Sequence, residues 1–185
     1  YAKKLINIKM RQERKANIGL NTSKNDPTIN ALGRVVGSLC ILTAQKGNEE
    51  NLISGAMVAS WVSQASFNPP GITIAVAKER AVENLLHSGD SFALNILEQN
   101  NHKGLLAKFL QSFKPGDNRF ADLEIKFSPG HQPLLNDALA WLEATVSQRM
   151  ECGDHWLIYA EVKHGKVLKK DGVTAVHHRK TGANY

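Results

Sequence analysis

Cysteine is scarce in this chain, and what is missing around it is informative. Only Cys40 and Cys152 occur in 185 residues. Neither belongs to a CxxC pair, which leaves zinc-binding and redox-disulfide readings without support. Cys40 lies in the apolar run Leu39–Leu42 and is expected as a small core residue; Cys152 falls near a predicted turn, with greater exposure and an incidental role expected. Long hydrophobic runs are also absent: the longest, Ile72–Ala77, is far too short to span a bilayer. Gly33-Arg34-Val35-Val36-Gly37 has glycines but lacks GxGxxG spacing, which argues against a dinucleotide-binding βαβ unit. No catalytic triad and no carboxylate pair is visible.

Charge is unevenly spread. The chain carries a net +6, yet residues 1–30 alone hold seven lysines and arginines against Glu13 and Asp26. The excess therefore lies in a basic leader. Such a leader attracts nucleic acid weakly and in a salt-dependent way. Without an aromatic-rich RNA-binding strand or zinc-finger spacing, nucleic acid is not an expected partner. Tyr1 is not a start methionine, and the first residues carry lysines with no signal-peptide apolar region. The expectation is a cytoplasmic piece of a longer chain, with no membrane span.

A hydrophobic content of 42% with 22% charged residues suits one globular domain with a full core. Residues 1–25 read as a linker, partly helical over Lys9–Ala16, and residues 26–185 as the domain. Asp26-Pro27 is a helix start signal, predicting a short helix through Thr28–Leu32 that ends at Gly33. Strands dominate from there. Ser38–Ala44, Ser54–Ser63, Ile72–Lys78, Ser91–Leu97 and Trp156–Val162 read as strands, with a short one over Leu123–Phe127 and an extension at Lys166–Lys169. Leu142, Ala144 and Val146 alternate with Glu143, Thr145 and Ser147, the period of a half-buried strand. Cys152-Gly153-Asp154 suits a hairpin turn, and Ala81–His87 a short helix. His102–Phe113 is the clearest amphipathic helix, with Leu105, Leu106, Phe109, Leu110 and Phe113 on one face. Many strands, few helices and no βαβ alternation predict a mainly β chain: an antiparallel barrel with helices packed outside.

The stretch Ser54–Arg80, SGAMVASWVSQASFNPPGITIAVAKER, stands out. Gly55, Ala56, Ala59 and Ala65 let a flat ligand approach the backbone, where N–H groups are available as donors. Ser60, Ser63 and Ser66 supply hydroxyls, and Lys78 and Arg80 follow the second strand, where a phosphate needs cations. The same residue types also make an ordinary strand pair with solvated polar ends, and they do not separate the two readings.

This stretch resembles the flavin-binding core of the flavin reductase-like, FMN-binding split-barrel family. ASWVSQASFNPP is closer still to the C-terminal flavin reductase domain of cyanobacterial diflavin flavodiiron proteins. Further matching motifs are DSFALNIL (90–97), SQRMECGDHWLIYAEV (147–162) and TAVHHRKTGANY (174–185), in the right order. The resemblance covers the chain from about Ala31 onward and sharpens the expected fold to a Greek-key split β-barrel.

It also implies chemistry. The activity is hydride transfer from NAD(P)H to bound FMN, an NAD(P)H-dependent flavin oxidoreductase in which the cofactor carries the reaction. The isoalloxazine segment maps to Met57, Val58, Ala59 and Ser60, with Ser63, Gln64, Ala65 and Ser66 beside the ribityl chain and phosphate. Lys78 and Arg80 are the expected phosphate cations. Many relatives carry Ser or Thr near Ala81; that hydroxyl is missing here, which leaves FMN against FAD open. Asn95 matches a polar position within an apolar strand, at the site or satisfied by a neighbouring turn. Gly153-Asp154-His155 matches a motif linked to nicotinamide binding: His155 on the nicotinamide side with Asp154 fixing its tautomer, or a purely structural turn. His178 and Arg179, with His177 and Lys180, meet the phosphates of the nucleotide or form a solvated tail. Trp61 and Trp156 are expected in the barrel or an interface.

By the same resemblance the domain works as a homodimer and supplies electrons to a flavodiiron oxygen-reducing centre in upstream flavodoxin-like and diiron domains of the same chain. No metal ligands are expected in this segment. The alternative is a non-catalytic FMN-binding electron-relay or assembly module.

Overall fold

Asp26 and Pro27 start the first helix as their chemistry requires. In the computed structural model, which describes residues 26–111 and 118–183, helix α1 spans Pro27–Leu32. Asp26 Oδ1 accepts from Thr28 N at 2.8 Å, satisfying a donor that the first helical turn leaves unpaired. The Gly182 N–H donates to Ile29 O at 2.7 Å. The described residues divide into two compact units: 26–35 with 178–183, and 36–177. The expected helix over Lys9–Ala16 lies outside the described residues.

The larger unit is built from strands. They are β1 (Gly37–Ser38), β2 (Cys40–Lys46), β3 (Ile53–Ala59), β4 (Val62–Phe67), β5 (Pro70–Ala77), β6 (Ser91–Ile96), β7 (Ile125–Phe127), β8 (Pro133–Leu135), β9 (Ala140–Cys152), β10 (His155–Val167) and β11 (Val176–His177). Seven form one antiparallel sheet in the order β3-β2-β6-β9-β10-β5-β4. β3 and β4 are consecutive in the chain yet occupy opposite edges. Six gaps of ~4.8 Å would hold the edges of a flat sheet ~29 Å apart. The three residue steps from Ala59 to Val62 reach at most ~11 Å. The sheet must therefore curl until its edges meet, which makes it a Greek-key split β-barrel with its seam between β3 and β4.

Two-residue alternation sorts the core into two layers. Leu42, Ala44, Met57, Ile74, Val76, Phe92, Leu94, Val146 and Ile158 fill the barrel. Ile41, Ala56 and Val58 point outward and are covered by Leu105, Phe109, Phe120 and Leu135. The barrel layer also encloses Cys40, whose thiol burial pushes up to about 12. Burying a large apolar side chain stabilises by roughly 1.5–3 kcal/mol, so these two layers are the main source of order. Helix α2 (Lys103–Leu110) supplies Leu105 and Phe109 to the outer layer, whereas Leu110, expected in the same buried stripe, is 59% exposed. Phe113 lies outside the described residues.

Beyond shifts of a few residues at strand and helix ends, the structure departs from the sequence expectation in the following places. Ser54–Ser63 is not one strand: the chain breaks at Ser60-Trp61 to cross the seam, so Ser63 belongs to β4. Ala81–Leu85 is a 3₁₀ helix, and it packs Val82 and Leu85 into the barrel layer against Gly55. β8 is unanticipated because its three buried residues are too few to show a period.

Candidate functional site

Along the seam, edge strand β3 turns some of its main-chain groups away from β2. Arg119 Nη1 donates to Ala56 O at 2.7 Å, so the peptide groups of Ala56 face away from β2 and toward the open edge. Backbone direction alternates along a strand, and Ser54 and Val58 face the same way. The side chains of Met57 and Ala59 lie in the barrel and that of Val58 in the outer layer. Whatever meets this part of β3 along the seam meets its main chain.

Ser60 ends the edge. It is 2% exposed, and its Oγ has no hydrogen-bond partner among the described residues. A buried hydroxyl left unpaired costs about 1–3 kcal/mol, so a polar partner at this point has something to gain. Behind it stands Gly37 of β1, where an added Cβ would lie 1.7 Å from Ser60 O. Only glycine permits that approach.

Across the seam, β4 presents Ser63, Gln64 and Ala65 to solvent, with Ser66 half-buried. Ala65 is the extra residue of a bulge between the Gln64–Ile72 and Ser66–Gly71 pairs. Bulges of this kind re-aim side chains next to functional sites. The hydroxyls here are held only lightly: Ser63 Oγ donates to Gln64 O at 3.2 Å.

The β9–β10 hairpin closes one side. Gly153 adopts φ +60° in its two-residue turn, a conformation that favours glycine. Asp154 O accepts from Lys78 N at 3.0 Å, joining the end of β5 to the turn. His155 Nδ1 lies 2.7 Å from Asp154 Oδ1. An ionised carboxylate only accepts, so Nδ1 is the donor in this contact. That hydrogen bond, foremost, holds the Asp154 carboxyl below the usual carboxylate range. Trp61 covers the imidazole, with ring centroids 4.9 Å apart and planes tilted by 38°.

Lys78 does not stand alone. Its Nζ pairs with Glu151 Oε1 and sits 5.2 Å from the centre of the Trp156 ring. Arg149 lies over the same ring at 4.4 Å, pairs with Glu83 and donates to His87 Nδ1 at 2.7 Å. The segment that follows β5 is thereby strapped to the hairpin. Arg80 is exposed at the start of the 3₁₀ helix. Beside that helix a cleft of about 500 Å³ is lined by Lys46, Ser54, Gly55, Ala81, Asn84 and Arg119, among others.

Not every expected residue converges here. Asn95, expected as a site candidate, is instead fully buried: Nδ2 donates to Ile41 O at 3.2 Å and to Thr43 Oγ1 at 3.1 Å, and Oδ1 accepts from Leu135 N at 2.8 Å. Its amide is committed to the core and is not available to a ligand. His178 and Arg179 belong to the smaller unit. Glu151, Arg149, Glu83 and Arg119 were not legible as site residues, because cross-strand register and long-range contact leave no local pattern. Among the described residues no cluster of His, Cys, Asp and Glu is arranged to hold a metal ion, and no helix is long and apolar enough to cross a membrane.

Comparison with known proteins adds independent findings. The family described as "Flavin reductase like domain" matches residues 32–183. A putative diflavin flavoprotein A 6 from Nostoc sp. is 59% identical over 155 residues, covering 84% of this chain and 26% of the relative. Diflavin flavoprotein A 1 from Synechocystis sp. is 55% identical, again over 84% of this chain and 26% of its own length. The chain thus spans about a quarter of these relatives. Among solved structures, the Streptomyces globisporus NADH:FAD oxidoreductase SgcE6 superposes with a TM-score of 0.72 at 21% identity, covering 84% of this chain and 87% of that one. The flavin reductase PheA2 gives 0.62 at 23% identity, covering 80% and 94%. These two superpositions are a likeness of fold.

Proposed function

The chain belongs to the flavin reductase like domain family, and from that membership we propose that it is an NAD(P)H:flavin oxidoreductase domain binding FMN along the barrel seam. The observation that carries this reading is the buried, unpartnered Ser60 hydroxyl at the end of an outward-facing edge strand. A flat heteroaromatic ring with a polar rim fits such an edge, since its rim needs main-chain donors and acceptors of the kind an edge strand carries.

In this reading the backbone of Met57–Ser60 orients the polar rim of the ring. Ser63, Gln64, Ala65 and Ser66 line the ribityl chain, and Lys78 and Arg80 neutralise the phosphate. His155, oriented by Asp154 and covered by Trp61, stands on the nicotinamide side and holds its Nδ1 proton there. Asp154 serves the nucleotide. The flavin, when bound, supplies the hydride-accepting chemistry. The protein's part is orientation, which by itself can account for a large share of the rate.

Two wider parts of the reading concern the parent protein. The domain passes electrons to a flavodiiron oxygen-reducing centre in flavodoxin-like and diiron domains elsewhere in the chain. It works as a homodimer: β4 is an edge strand with Phe67 88% exposed, a face that a second copy can cover.

Anaerobic stopped-flow absorbance of the FMN-loaded chain mixed with NADH or NADPH tests the activity. Bleaching of the oxidised-flavin band at a rate that rises with nucleotide supports direct hydride transfer, and the faster nucleotide is the donor. FMN that binds but stays oxidised with both nucleotides sinks the reductase reading in favour of the alternative, a non-catalytic electron relay.

A further inference from the structure

Lys78 is the cation that the sequence places at the phosphate, yet its ammonium is already paired with the carboxylate of Glu151. We propose that Glu151 is an internal competitor for the flavin phosphate: it occupies Lys78 in the free domain and so sets how strongly the domain prefers FMN over riboflavin. The inference rests on the site reading above.

The local geometry favours exchange over a permanent structural pair. The Glu151 side chain is 67% exposed and that of Lys78 30% exposed, so the carboxylate can swing into water when another anion arrives. The Trp156 ring beneath Lys78 attracts the ammonium with either anion as its partner. The other cation on that ring, Arg149, is committed to Glu83 and His87. It is not available to take over the displaced Glu151.

Charge sets the direction. A phosphate monoester carries close to two negative charges near neutral pH, with three acceptor oxygens. It therefore outcompetes one carboxylate for the same ammonium. Displacing an exposed ion pair is cheap but not free, and exposed pairs of this kind correspond to a factor of about two to five in an equilibrium constant. Riboflavin has no phosphate and displaces nothing, so Glu151 lowers FMN affinity selectively.

The test is a fluorescence titration of FMN and of riboflavin against the chain and its Glu151→Gln and Lys78→Gln variants, with circular dichroism to verify folding. Glu151→Gln should tighten FMN by about two- to fivefold and leave riboflavin unchanged. Lys78→Gln should lower the FMN preference to what Arg80 alone supports, and adding Glu151→Gln to it should then tighten FMN by less than it does in the unmodified chain. An FMN-to-riboflavin affinity ratio that is unchanged or lowered in Glu151→Gln overturns the inference while leaving the flavin site standing. Failure of the unmodified chain to bind either flavin overturns the site reading and this inference with it.

Discussion

Trp61 and His155 come from opposite ends of the barrel sequence and meet ring to ring, with centroids 4.9 Å apart. Trp61 is the residue with which the chain leaves edge strand β3 for edge strand β4, and its carbonyl accepts from Ala75 N at 3.0 Å. His155 opens β10 and is tied to Asp154. The stack therefore joins the seam crossing to the hairpin that carries the candidate nicotinamide residue.

Removing that stack should loosen His155 without emptying the seam. Aromatic pairs contribute about 0.5–1.5 kcal/mol beyond area burial. Trp61→Ala is accordingly expected to raise KM for NAD(P)H by about fivefold with a smaller change in kcat. Trp61→Phe should restore most of the loss. Equal KM values in all three proteins would show that His155 needs no such support.

Asn95 is expected to behave as a core residue. Its amide satisfies Ile41 O, Thr43 Oγ1 and Leu135 N from within a fully buried site. Asn95→Ala orphans these groups, and buried unsatisfied groups cost about 1–3 kcal/mol each. We expect a loss of about 3 kcal/mol in urea unfolding. Flavin affinity measured well below the unfolding midpoint should hardly change. A stable variant that loses flavin would return Asn95 to the site.

Gly37 tests the backing of the seam. A methyl at this position meets the Ser60 carbonyl at 1.7 Å, and a main-chain oxygen cannot rotate aside. Gly37→Ala should destabilise the protein by about 2–3 kcal/mol, as overpacking does, and weaken flavin binding by moving Ser60. Unchanged stability would mean that β1 shifts freely.

Acid should release the hairpin contacts one by one. The Asp154 carboxyl is held below its usual range chiefly by the hydrogen bond from His155, and that of Glu151 by the hydrogen bond and charge of Lys78. A carboxyl depressed in the folded state adds stability that is fully present above its unfolded value near ~4 and is lost as the pH falls through the folded value. Carbon-detected NMR titration reads each group separately. His155→Gln should return Asp154 upward toward the ordinary carboxylate range and leave Glu151 where it is. Lys78→Gln should raise Glu151 and move Asp154 only slightly. Carboxyls that do not respond to these changes would mean that the two pairs do not form in solution.

By itself, the sequence determined whatever rests on local chemistry. Asp26-Pro27 dictated the start of a helix, and Gly153-Asp154 dictated a hairpin. The alternation of Leu142, Ala144 and Val146 marked a strand, and the ordered motifs from Gly55 to His155 marked the family. These signals survive because a cap, a turn and a two-residue period each involve neighbours in the chain. Only the tertiary structure decided where Ser54–Ser63 breaks, since that break exists solely to carry the chain across a closed seam. It alone turned Asn95 into the core and set Glu151 against Lys78 and Trp61 against His155. Each of these depends on register between strands remote in sequence, and a shift of one residue in that register would point every such side chain to the opposite face.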